Sequence, residues 1–480
     1  MYTGLKIKIA LPKGRLLDET ARLLDVAGWD LSGYHSSAPL YHLTSPRFPN
    51  MLAKIFHEKD IPVQVAVGNY DLGICGLDWA EELLVRYRST ELVKVRDLGY
   101  GRGYLCAVTS PALGGMTLED MVATRGEVRI VSEYPNLAEA FALKARLKRF
   151  RIFPVCGAAE VYPPESADLV LIRDEPGRFA EAGLVPVSRL LGFGACLIAN
   201  RSSWENKDLS EILATLGEAT AVGLDNGDPE VVSVGVSDLP AQPAIEIVTE
   251  TSEDIIRLAL PDGHQQKPTI ALLEKAGVAL GDYRLNGSAQ RPRIGLPGTS
   301  VKVIRPQDMP LQVANGNFDL AITGRDWLRD HLSQFPGSPV TELLNLGFGW
   351  VKLVAVVSKQ LAVDDISRLA SLSSERSLPL RIASEYTNIA DKYARDNHLG
   401  LYRIIPTWGA TEAFLPDDAD MLIENTETGG TIARHNLKII DTLFESTACL
   451  IGNTGRISSP AVAPGIERII GILRRGLEAS

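Results

Sequence analysis

The sequence has 480 residues, of which 45% are hydrophobic and 22% charged, a composition typical of a globular protein. Its formal net charge is −10 and its lysines and arginines form no runs, which argues against a protein that binds nucleic acid non-specifically. No stretch approaches the roughly 18 to 20 apolar residues of a membrane span, and the five cysteines have no metal-binding spacing. We expect a cytoplasmic protein with no membrane and no nucleic-acid partner.

The chain contains one sequence pattern twice. Three segments recur in the same order, and the pairs are 10–14 with 259–263, 69–79 with 317–327, and 132–136 with 384–388. The longest pair reads NYDLGICGLDW and NFDLAITGRDW, 248 positions apart. This spacing predicts a first half at residues 1–221, a connector at 222–252 and a second half at 253–480. The two halves would form a pseudo-dimer within one chain.

Short apolar runs alternate with helical patterns in each half, which predicts α/β layers with parallel strands. The strands predicted in the first half are 6–11, 64–67, 72–75, 104–108, 129–131, 169–172 and 195–199. The predicted helices include 18–27 and 136–150 in the first half, and 270–276, 389–396 and 466–477 in the second. Each half is long enough for two lobes.

The first segment with functional chemistry is Lys13-Gly14-Arg15, at a strand-to-helix turn. Two cations that flank a glycine can hold a pyrophosphate or triphosphate, and Arg15 can bind two oxygens at once. The alternative is a pair of solvated surface cations. In the second half Asp262 replaces Lys13, so that half has lost this segment.

Two further segments occur in both halves. Residues 60–79 and 308–327 carry turn glycines and an aspartate beside strands, and we favour a scaffold role for them. Arg305, just before the second of these segments, corresponds to His57 in the first half. In the Ser-Glu-Tyr segments the asparagine that follows could cap a helix, or the tyrosine, such as Tyr386, could line a nucleotide pocket. Both alternatives stay open.

The strongest motif is ADMLIENTETGGT at residues 419–431. A buried strand leads into the turn Thr428-Gly429-Gly430-Thr431 and then into a helix, so hydroxyls, free backbone N–H groups and a helix N-terminus meet in one place. This combination suits a phosphate, and the glycines let the backbone approach it closely. The carboxylate of Glu424 could accept hydrogen bonds from sugar hydroxyls. The alternative is a helix cap without a ligand.

The first half has lost this motif. The aligned residues 175–179 read EPGRF in place of ETGGT. Both hydroxyls are absent, Pro176 removes one N–H donor, and we expect Phe179 to occupy the position of the phosphate. Each half therefore keeps one part of an anion site and lacks the other.

Together these segments resemble the short form of ATP phosphoribosyltransferase, the first enzyme of histidine biosynthesis. The resemblance covers nearly the whole chain, once per half. Its most specific segments are LPKGRL at 11–16, Arg305 with DMP at 308–310, DLAITG at 319–324, RIASEY at 381–386 and ENTETGGT at 424–431.

The resemblance implies two tandem two-lobed units like type II periplasmic binding proteins, four α/β lobes in all, with the site in a cleft. It implies transfer of the phosphoribosyl group of phosphoribosyl pyrophosphate to N1 of ATP, with Mg²⁺ bound and pyrophosphate released. The residues implied to bind the donor are Glu424, Glu427, Thr428, Gly429, Gly430 and Thr431. Those implied to bind ATP or pyrophosphate are Lys13, Gly14, Arg15, Arg305, Glu385 and Tyr386. No acid–base residue and no metal ligand is assigned, because such a transfer depends on positioning and charge stabilisation.

The sequence departs from the family pattern at a few positions. Ala66 and Ala314 stand where family members carry a glutamate, and Glu424 stands where they carry an aspartate. These departures keep a second interpretation open, a non-catalytic regulatory paralogue that binds a nucleotide or a phosphoribosyl group. The short form generally works with a regulatory subunit resembling histidyl-tRNA synthetase, so we expect such a partner.

Overall fold

The computed structural model describes residues 7–31, 33–35, 42–87, 91–113, 116–175, 178–223, 237–238, 255–285, 290–375 and 377–479. These residues form four mixed α/β lobes, two in each half. Most of the predicted connector lies outside the described residues, and its boundaries stay a prediction. None of the described helices is long and apolar enough to cross a membrane.

The first lobe has the strand order β2-β3-β1-β4-β11-β5. Its strands are β1 (Ile7–Lys13), β2 (His42–Leu43), β3 (Met51–His57), β4 (Leu72–Gly76), β5 (Leu92–Asp97) and β11 (Ala195–Asn200). Its helices are α1 (Leu17–Val26), α2 (Asp60–Ala66), α3 (Leu77–Arg86), α7 (Arg201–Asn206) and α8 (Ser210–Gly223). Strands β3, β1 and β4 are parallel, whereas β11 returns from the second lobe and pairs antiparallel with β4 and β5.

The second lobe has the order β12-β10-β6-β9-β7-β8. Its strands are β6 (Gly103–Thr109), β7 (Val128–Ser132), β8 (Phe150–Pro154), β9 (Leu169–Arg173), β10 (Val185–Phe193) and β12 (Ser237–Asp238). Its helices are α4 (Leu118–Arg125), α5 (Pro135–Lys144), a 3₁₀ turn (Ala159–Val161) and α6 (Arg178–Glu181). Strand β12 belongs to the predicted connector and extends this sheet beside β10.

The second half repeats this arrangement. The third lobe has the order β14-β13-β15-β22-β16 and the fourth β19-β18-β20-β17-β21. The third lobe contains β13 (Ile256–Pro261), β14 (Thr299–Ile304), β15 (Leu320–Gly324), β16 (Val340–Asn345), β22 (Ala448–Asn453), a 3₁₀ turn (Gly263–Gln265), α9 (Gln266–Lys275), α10 (Met309–Ala314), α11 (Arg325–Gln334), α15 (Thr454–Ile457) and α16 (Ala463–Glu478). The fourth contains β17 (Val351–Ser358), β18 (Leu380–Ser384), β19 (Tyr402–Pro406), β20 (Met421–Thr426), β21 (Leu437–Ser446), α12 (Ile366–Ser374), α13 (Thr387–Asp396), a 3₁₀ turn (Thr411–Phe414) and α14 (Gly430–Arg434). Two tandem two-lobed units were the predicted fold, and this prediction is confirmed.

One predicted strand is wrong. Residues 64–66 belong to helix α2 (Asp60–Ala66) and Val67 follows its end, so this segment is not a strand. Ile61, Gln64 and Val65 are all buried, and their spacing of three and four residues is that of one helix face. A short apolar run does not by itself distinguish a buried helix from a strand.

The two halves pack head to tail. One hydrophobic cluster joins the second lobe to the third and another joins the first lobe to the fourth. Buried lysines cross both boundaries, because Lys54 pairs with Asp418 at 2.7 Å and Lys302 pairs with Glu165 at 2.8 Å. The aligned lysines thus make cross-half ion pairs at equivalent places, which is the arrangement of a pseudo-dimer.

Candidate active site

The donor loop, residues 424–431, runs from the end of β20 into α14. Gly429 has φ +74°, a left-handed conformation that favours glycine, and a Cβ there would meet no heavy atom within 4 Å. The hydroxyl of Thr426 accepts the N–H of Gly429 at 2.9 Å and holds the turn closed. Thr428 and Thr431 are exposed, so their hydroxyls face a ligand approaching from solvent.

The sequence analysis missed a cation at this loop. Arg434 Nη2 donates to Thr431 Oγ1 at 3.1 Å. The two residues are three apart on one helical turn and therefore share a face, a spacing from which Arg434 could have been predicted. Because α14 has only five residues, the charge of Arg434 supplies more positive potential here than the helix dipole.

Two carboxylates lie together behind the donor loop. Burial and, next, the nearby charge of Glu385 raise the pKa of Glu424 to about 8, although a hydrogen bond from Thr411 opposes the shift. Burial also raises the pKa of Glu385. Two acids held this close in a poorly hydrated place favour a ligand that brings hydrogen-bond donors or a positive charge.

A cavity of about 420 Å³ adjoins these carboxylates, and we call it the aromatic cavity. Its lining comes from both halves: His57, Lys59, Cys156, Arg305, Gln307, Leu311, Trp327, Asp330, His331, Gln334, Phe335, Glu385, Asn388, Thr407 and Trp408. Burial lowers the pKa of His57 to about 4, so this imidazole is neutral at physiological pH. Aromatic rings and amides predominate, which suits a planar base.

Tyr386 does not line either of the two cavities that flank the half–half boundary. It is 1% exposed, and its hydroxyl donates to Asp326 at 2.6 Å and accepts from Asn425 at 2.7 Å. Its ring stacks on Trp327 at 4.2 Å between centroids. Of the two alternatives for the Ser-Glu-Tyr segment, a tyrosine lining a nucleotide pocket is therefore wrong for Tyr386, which supports the donor loop from behind.

The start of helix α13 is capped by a residue that the sequence analysis missed. The carboxylate of Asp330 accepts the backbone N–H groups of Asn388 and Ile389, each at 3.0 Å. Asn388 itself donates its side-chain amide to Asp330 at 2.7 Å. The expected asparagine cap is thus replaced by a carboxylate from α11, and no local sequence signal connects residues so far apart.

Lys13, Gly14 and Arg15 lie away from the donor loop, in a second cavity of about 900 Å³ that we call the cationic cavity. Its lining is Lys13, Gly14, Arg15, His57, Glu58, Lys59, Trp79, Glu133, Cys156, Gly157, Ala158, Glu160, Arg173, Glu175, Arg178, Ala182, Asp262, Gln290, Arg291 and Arg305. Arg15 pairs with Glu58 at 2.9 Å, and its guanidinium carbon lies 5.3 Å from the centre of the Phe193 ring. This is the cleft of the first half, closed on one side by the second half.

Arg305 connects the two cavities because it lines both. It pairs with Asp262 at 2.9 Å, and its Nε lies 3.0 Å from where a Cβ of Gly157 would stand. His57, Lys59 and Cys156 are also shared. The predicted ATP-binding residues are thus divided, with Lys13, Gly14 and Arg15 in one cavity, Glu385 in the other and Arg305 in both.

The prediction that Phe179 fills the phosphate position stays a prediction. Phe179 lies on α6 and packs, half-buried, against the hydrophobic cluster between the second and third lobes. The first half therefore has an apolar, partly buried side chain where the second half has the hydroxyl of Thr431. Pro176 lies outside the described residues.

The repeated aspartates of the scaffold segments are structural. Asp319 accepts the backbone N–H of Arg257 at 2.8 Å and pairs with Arg456 at 2.7 Å. Asp71 accepts from Ser203 at 2.6 Å and pairs with Lys207 at 2.9 Å. Neither lines the two cavities, whereas Trp79 and Trp327 at the ends of the same segments do, so the structure supports the scaffold role for the aspartates and not for the whole segments.

Comparison with known proteins identifies the family. The family model for ATP phosphoribosyltransferase matches residues 57–218 and again 305–474. The ATP phosphoribosyltransferase of Chlorobium phaeovibrioides is 31% identical over 229 residues, which cover 48% of this chain and 74% of that protein. The enzyme of Prosthecochloris aestuarii is 29% identical over 228 residues, with the same coverage.

Solved structures with a related fold include the ATP phosphoribosyl transferase (HisG:HisZ) complex of Thermotoga maritima, with 20% identity and a TM-score of 0.39. The match covers 47% of this chain and all of that chain. The alkanesulfonate-binding protein SsuA of Xanthomonas axonopodis has 12% identity and a TM-score of 0.28, and the match covers 47% of this chain and 74% of that one.

The family match, found once in each two-lobed α/β unit, places the chain among the phosphoribosyltransferases. Because the family model matches in both halves, the chain belongs to the ATP phosphoribosyltransferase family and is an enzyme of histidine biosynthesis.

Proposed function

We propose that the chain transfers the phosphoribosyl group to ATP at a single site in the cleft of the second half. The donor, phosphoribosyl pyrophosphate, binds the donor loop, and the purine of ATP binds the aromatic cavity. The first half has become a partner domain that completes the wall of this site. The non-catalytic alternative then applies to the first half alone.

One observation carries this proposal. Thr428 and Thr431 are exposed on a glycine turn with Arg434 beside them, whereas the position aligned with Thr431 is Phe179, packed into a hydrophobic cluster. Two exposed hydroxyls on a glycine turn and a cation beside them meet the needs of a sugar phosphate. Glu424 and Glu427, just before the turn, are the acceptors for ribose hydroxyls.

The position of the acceptor substrate follows from two contacts between the aromatic cavity and the donor loop. Glu385 lines the cavity and acts electrostatically on Glu424. Thr407 also lines the cavity, and its hydroxyl lies 2.8 Å from that of Thr411, which hydrogen-bonds Glu424. A base in the aromatic cavity would therefore be separated from a ribose on the donor loop by a single layer of side chains.

The chemistry requires little proton transfer from the protein. The purine nitrogen attacks the anomeric carbon of the ribose as pyrophosphate leaves, so the bond to the nitrogen forms while the bond to pyrophosphate breaks. The protein aligns the two substrates and stabilises the charge on the leaving group, a role that suits Arg305 because it lines the aromatic cavity.

Mg²⁺ is part of the proposal because the donor's pyrophosphate needs charge neutralisation. Within the described ranges no three His, Cys, Asp or Glu side chains form a ready-made metal site. Mg²⁺ commonly binds one or two carboxylates together with substrate phosphates, and the crowded pair Glu385 and Glu424 fits that role. Bound there, the metal would withdraw charge from the pyrophosphate.

The test is the double variant Thr428→Ala/Thr431→Ala, assayed for product formed from ATP and phosphoribosyl pyrophosphate. Two hydrogen bonds to a charged phosphate are lost, so we expect kcat/KM for the donor to fall by about 10²- to 10⁴-fold. Both threonines are exposed, and the circular dichroism spectrum should not change. Phe179→Leu is the matched change in the first half and should leave turnover unaltered. Full turnover in the double variant would refute the assignment.

We also propose a regulatory partner subunit resembling histidyl-tRNA synthetase, as the family resemblance implies. Co-expression of the chain with such a subunit, followed by size-exclusion chromatography, tests this. A stable complex with altered kcat supports the partnership, and two separate peaks without kinetic effect contradict it.

A further inference from the structure

The amide of Asn425 connects the donor loop to a buried tyrosine. Successive side chains of a strand point to opposite faces of the sheet, so Glu424 and Asn425, neighbours near the end of β20, face opposite ways. Thr411 hydrogen-bonds Glu424 on one face. On the other face, Asn425 Nδ2 donates to the hydroxyl of Tyr386 at 2.7 Å. The first residues of the donor loop are therefore held from both sides.

The connection continues from Tyr386 to a carboxylate that is itself fixed in place. The tyrosine hydroxyl donates to Asp326 at 2.6 Å. Asp326 also accepts the hydroxyl of Ser446 at 2.9 Å, and its backbone N–H donates back to that hydroxyl at 2.9 Å. A Cβ at Gly324 would clash with the carboxylate, so this approach requires glycine. We call Asp326, Tyr386 and Asn425 the buried network, and hydrogen-bonded networks of this kind are rigid.

The buried network also contacts the aromatic cavity. Trp327 follows Asp326 on helix α11 and lines this cavity. Its ring stacks on that of Tyr386, with 4.2 Å between the centroids. One tyrosine thus contacts the cavity wall with its ring and the donor loop with its hydroxyl. Because a displacement of about 1 Å between reacting groups can lower a rate about 100-fold, this double contact bears on how the two substrates are aligned.

The first half has kept the tyrosine and lost the amide. Tyr134 donates to Asp78 at 2.7 Å, and its ring stacks on Trp79 with 4.2 Å between the centroids. Arg173 stands at the position of Asn425, and its guanidinium lies 3.8 Å from Asp78. The tyrosine and the aspartate are therefore scaffold common to both halves, whereas the amide occurs in the half whose loop has kept its hydroxyls.

We propose that Asn425 and Tyr386 are positioning residues, which touch neither substrate and fix the donor loop relative to the aromatic cavity. Asp326 anchors them. This inference rests on the proposed function, because it takes the donor to bind the loop and the purine to bind the cavity. Without the connection, the anomeric carbon of the donor and the attacking nitrogen are held less well in line.

The first test compares Tyr386→Phe with Tyr134→Phe. Each change removes one hydroxyl from a buried aspartate, so both should lower the urea midpoint of unfolding to a similar extent. Tyr386→Phe alone should also lower kcat/KM for phosphoribosyl pyrophosphate by about 10- to 100-fold, with a fall in kcat as well as a rise in KM. Equal kinetic losses in the two variants would overturn the inference, since a purely structural role predicts that result.

A double-mutant cycle isolates the contribution of the amide. Asn425→Leu removes the amide donor and leaves the bond from Tyr386 to Asp326 intact, so it should lower kcat/KM about tenfold with little change in the urea midpoint. Both changes break the same connection, so Asn425→Leu added to Tyr386→Phe should lower kcat/KM little further. Additive losses would contradict the positioning role.

The variant Thr428→Ala/Thr431→Ala separates this inference from the proposed function. Full turnover in that variant refutes the proposed function, and the positioning role with it. Loss of turnover in that variant, together with unaltered kinetics in Asn425→Leu, overturns the positioning role alone. Loss in both, with a coupled effect of Asn425→Leu and Tyr386→Phe, supports both conclusions.

Discussion

The two cavities at the half–half boundary are built from aligned segments, yet their chemistry differs. The aromatic cavity adjoins a loop with exposed hydroxyls and two crowded carboxylates, whereas the cationic cavity is lined by arginines held by buried acids. Duplication in one chain lets each copy change separately, since one surviving donor loop suffices for transfer. The difference teaches that two copies of one unit can keep the same fold while the chemistry of their clefts changes separately.

The same comparison applies to the buried lysines that join the halves. The carboxylate of Asp418 is fully buried and is bound by Lys54 and by the hydroxyl of Tyr70. Glu165 is 30% exposed and keeps Arg291 when Lys302 is removed. Lys54→Met should therefore lower the free energy of unfolding by about 3–5 kcal/mol, because it leaves a charge buried without its partner.

Urea-induced unfolding measures this difference, with Lys302→Met as the matched variant. Lys302→Met should lower the free energy of unfolding by clearly less, because its partner Glu165 stays paired with Arg291 and is partly exposed to solvent. A larger loss in Lys302→Met than in Lys54→Met would contradict the asymmetry between the two boundaries.

The carboxylate behind the donor loop should make donor capture depend on pH. The pKa of Glu424 is raised to about 8, above the ordinary value for a glutamate. Below that pH it is mostly protonated and accepts ribose hydroxyls poorly, so kcat/KM for the donor should rise as the pH increases towards about 8.

Glu424→Gln tests the origin of this profile. A glutamine cannot ionise, and loss of a charged acceptor should lower kcat/KM about 10- to 100-fold at pH 9 and flatten the dependence on pH. The same rise with pH in the variant would show that another group is responsible.

Arg434 allows the two halves to be compared at the loop itself. It donates a hydrogen bond to the hydroxyl of Thr431, and among the described residues of the first half no arginine makes an equivalent bond to a threonine hydroxyl. Arg434→Ala should raise KM for the donor about tenfold and leave kcat nearly constant, since one exposed charge-assisted contact to the bound phosphate is lost. Steady-state kinetics measure the effect. Arg403→Ala, an exposed arginine elsewhere on the fourth lobe, is the control, and equal effects of the two changes would contradict the role of Arg434.

The smallest effect is expected at the two turn glycines. Gly14 and Gly429 have φ of +88° and +74°, and a Cβ at either would meet no heavy atom within 4 Å. Alanine at each should cost about 1–2 kcal/mol of stability through backbone strain alone. Gly429→Ala should weaken binding of phosphoribosyl pyrophosphate and Gly14→Ala binding of pyrophosphate. If calorimetry found one ligand weakened in both variants, the two sites would not be separate.

Much of the fold could be predicted from the sequence because the repeat aligns whole elements. Strand β1, helix α1 and the order of segments follow from apolar runs and turn glycines. Helix α2 could not be recognised, since it has only seven residues, about two helical turns, and contains a proline. Helix α5 ends at Lys144, before the predicted end, because Phe150 begins the next strand.

The loop of the site was predictable, but its surroundings were not. Thr428 to Thr431 form a local motif, so spacing alone identifies them. Arg305 lines a cavity of the opposite half as well as its own, and sequence periodicity carries no information on how two halves pack. Tyr386 was ambiguous because burial and a contact to Asp326 decide its role, and neither is visible in one sequence.

The most direct test of this account is a crystal structure of the full-length chain with phosphoribosyl pyrophosphate and Mg²⁺ at saturating concentration. The account predicts the 5′-phosphate on the hydroxyls of Thr428 and Thr431 and no sugar phosphate beside Phe179. A donor molecule bound in the first half, or a vacant donor loop under these conditions, would contradict it.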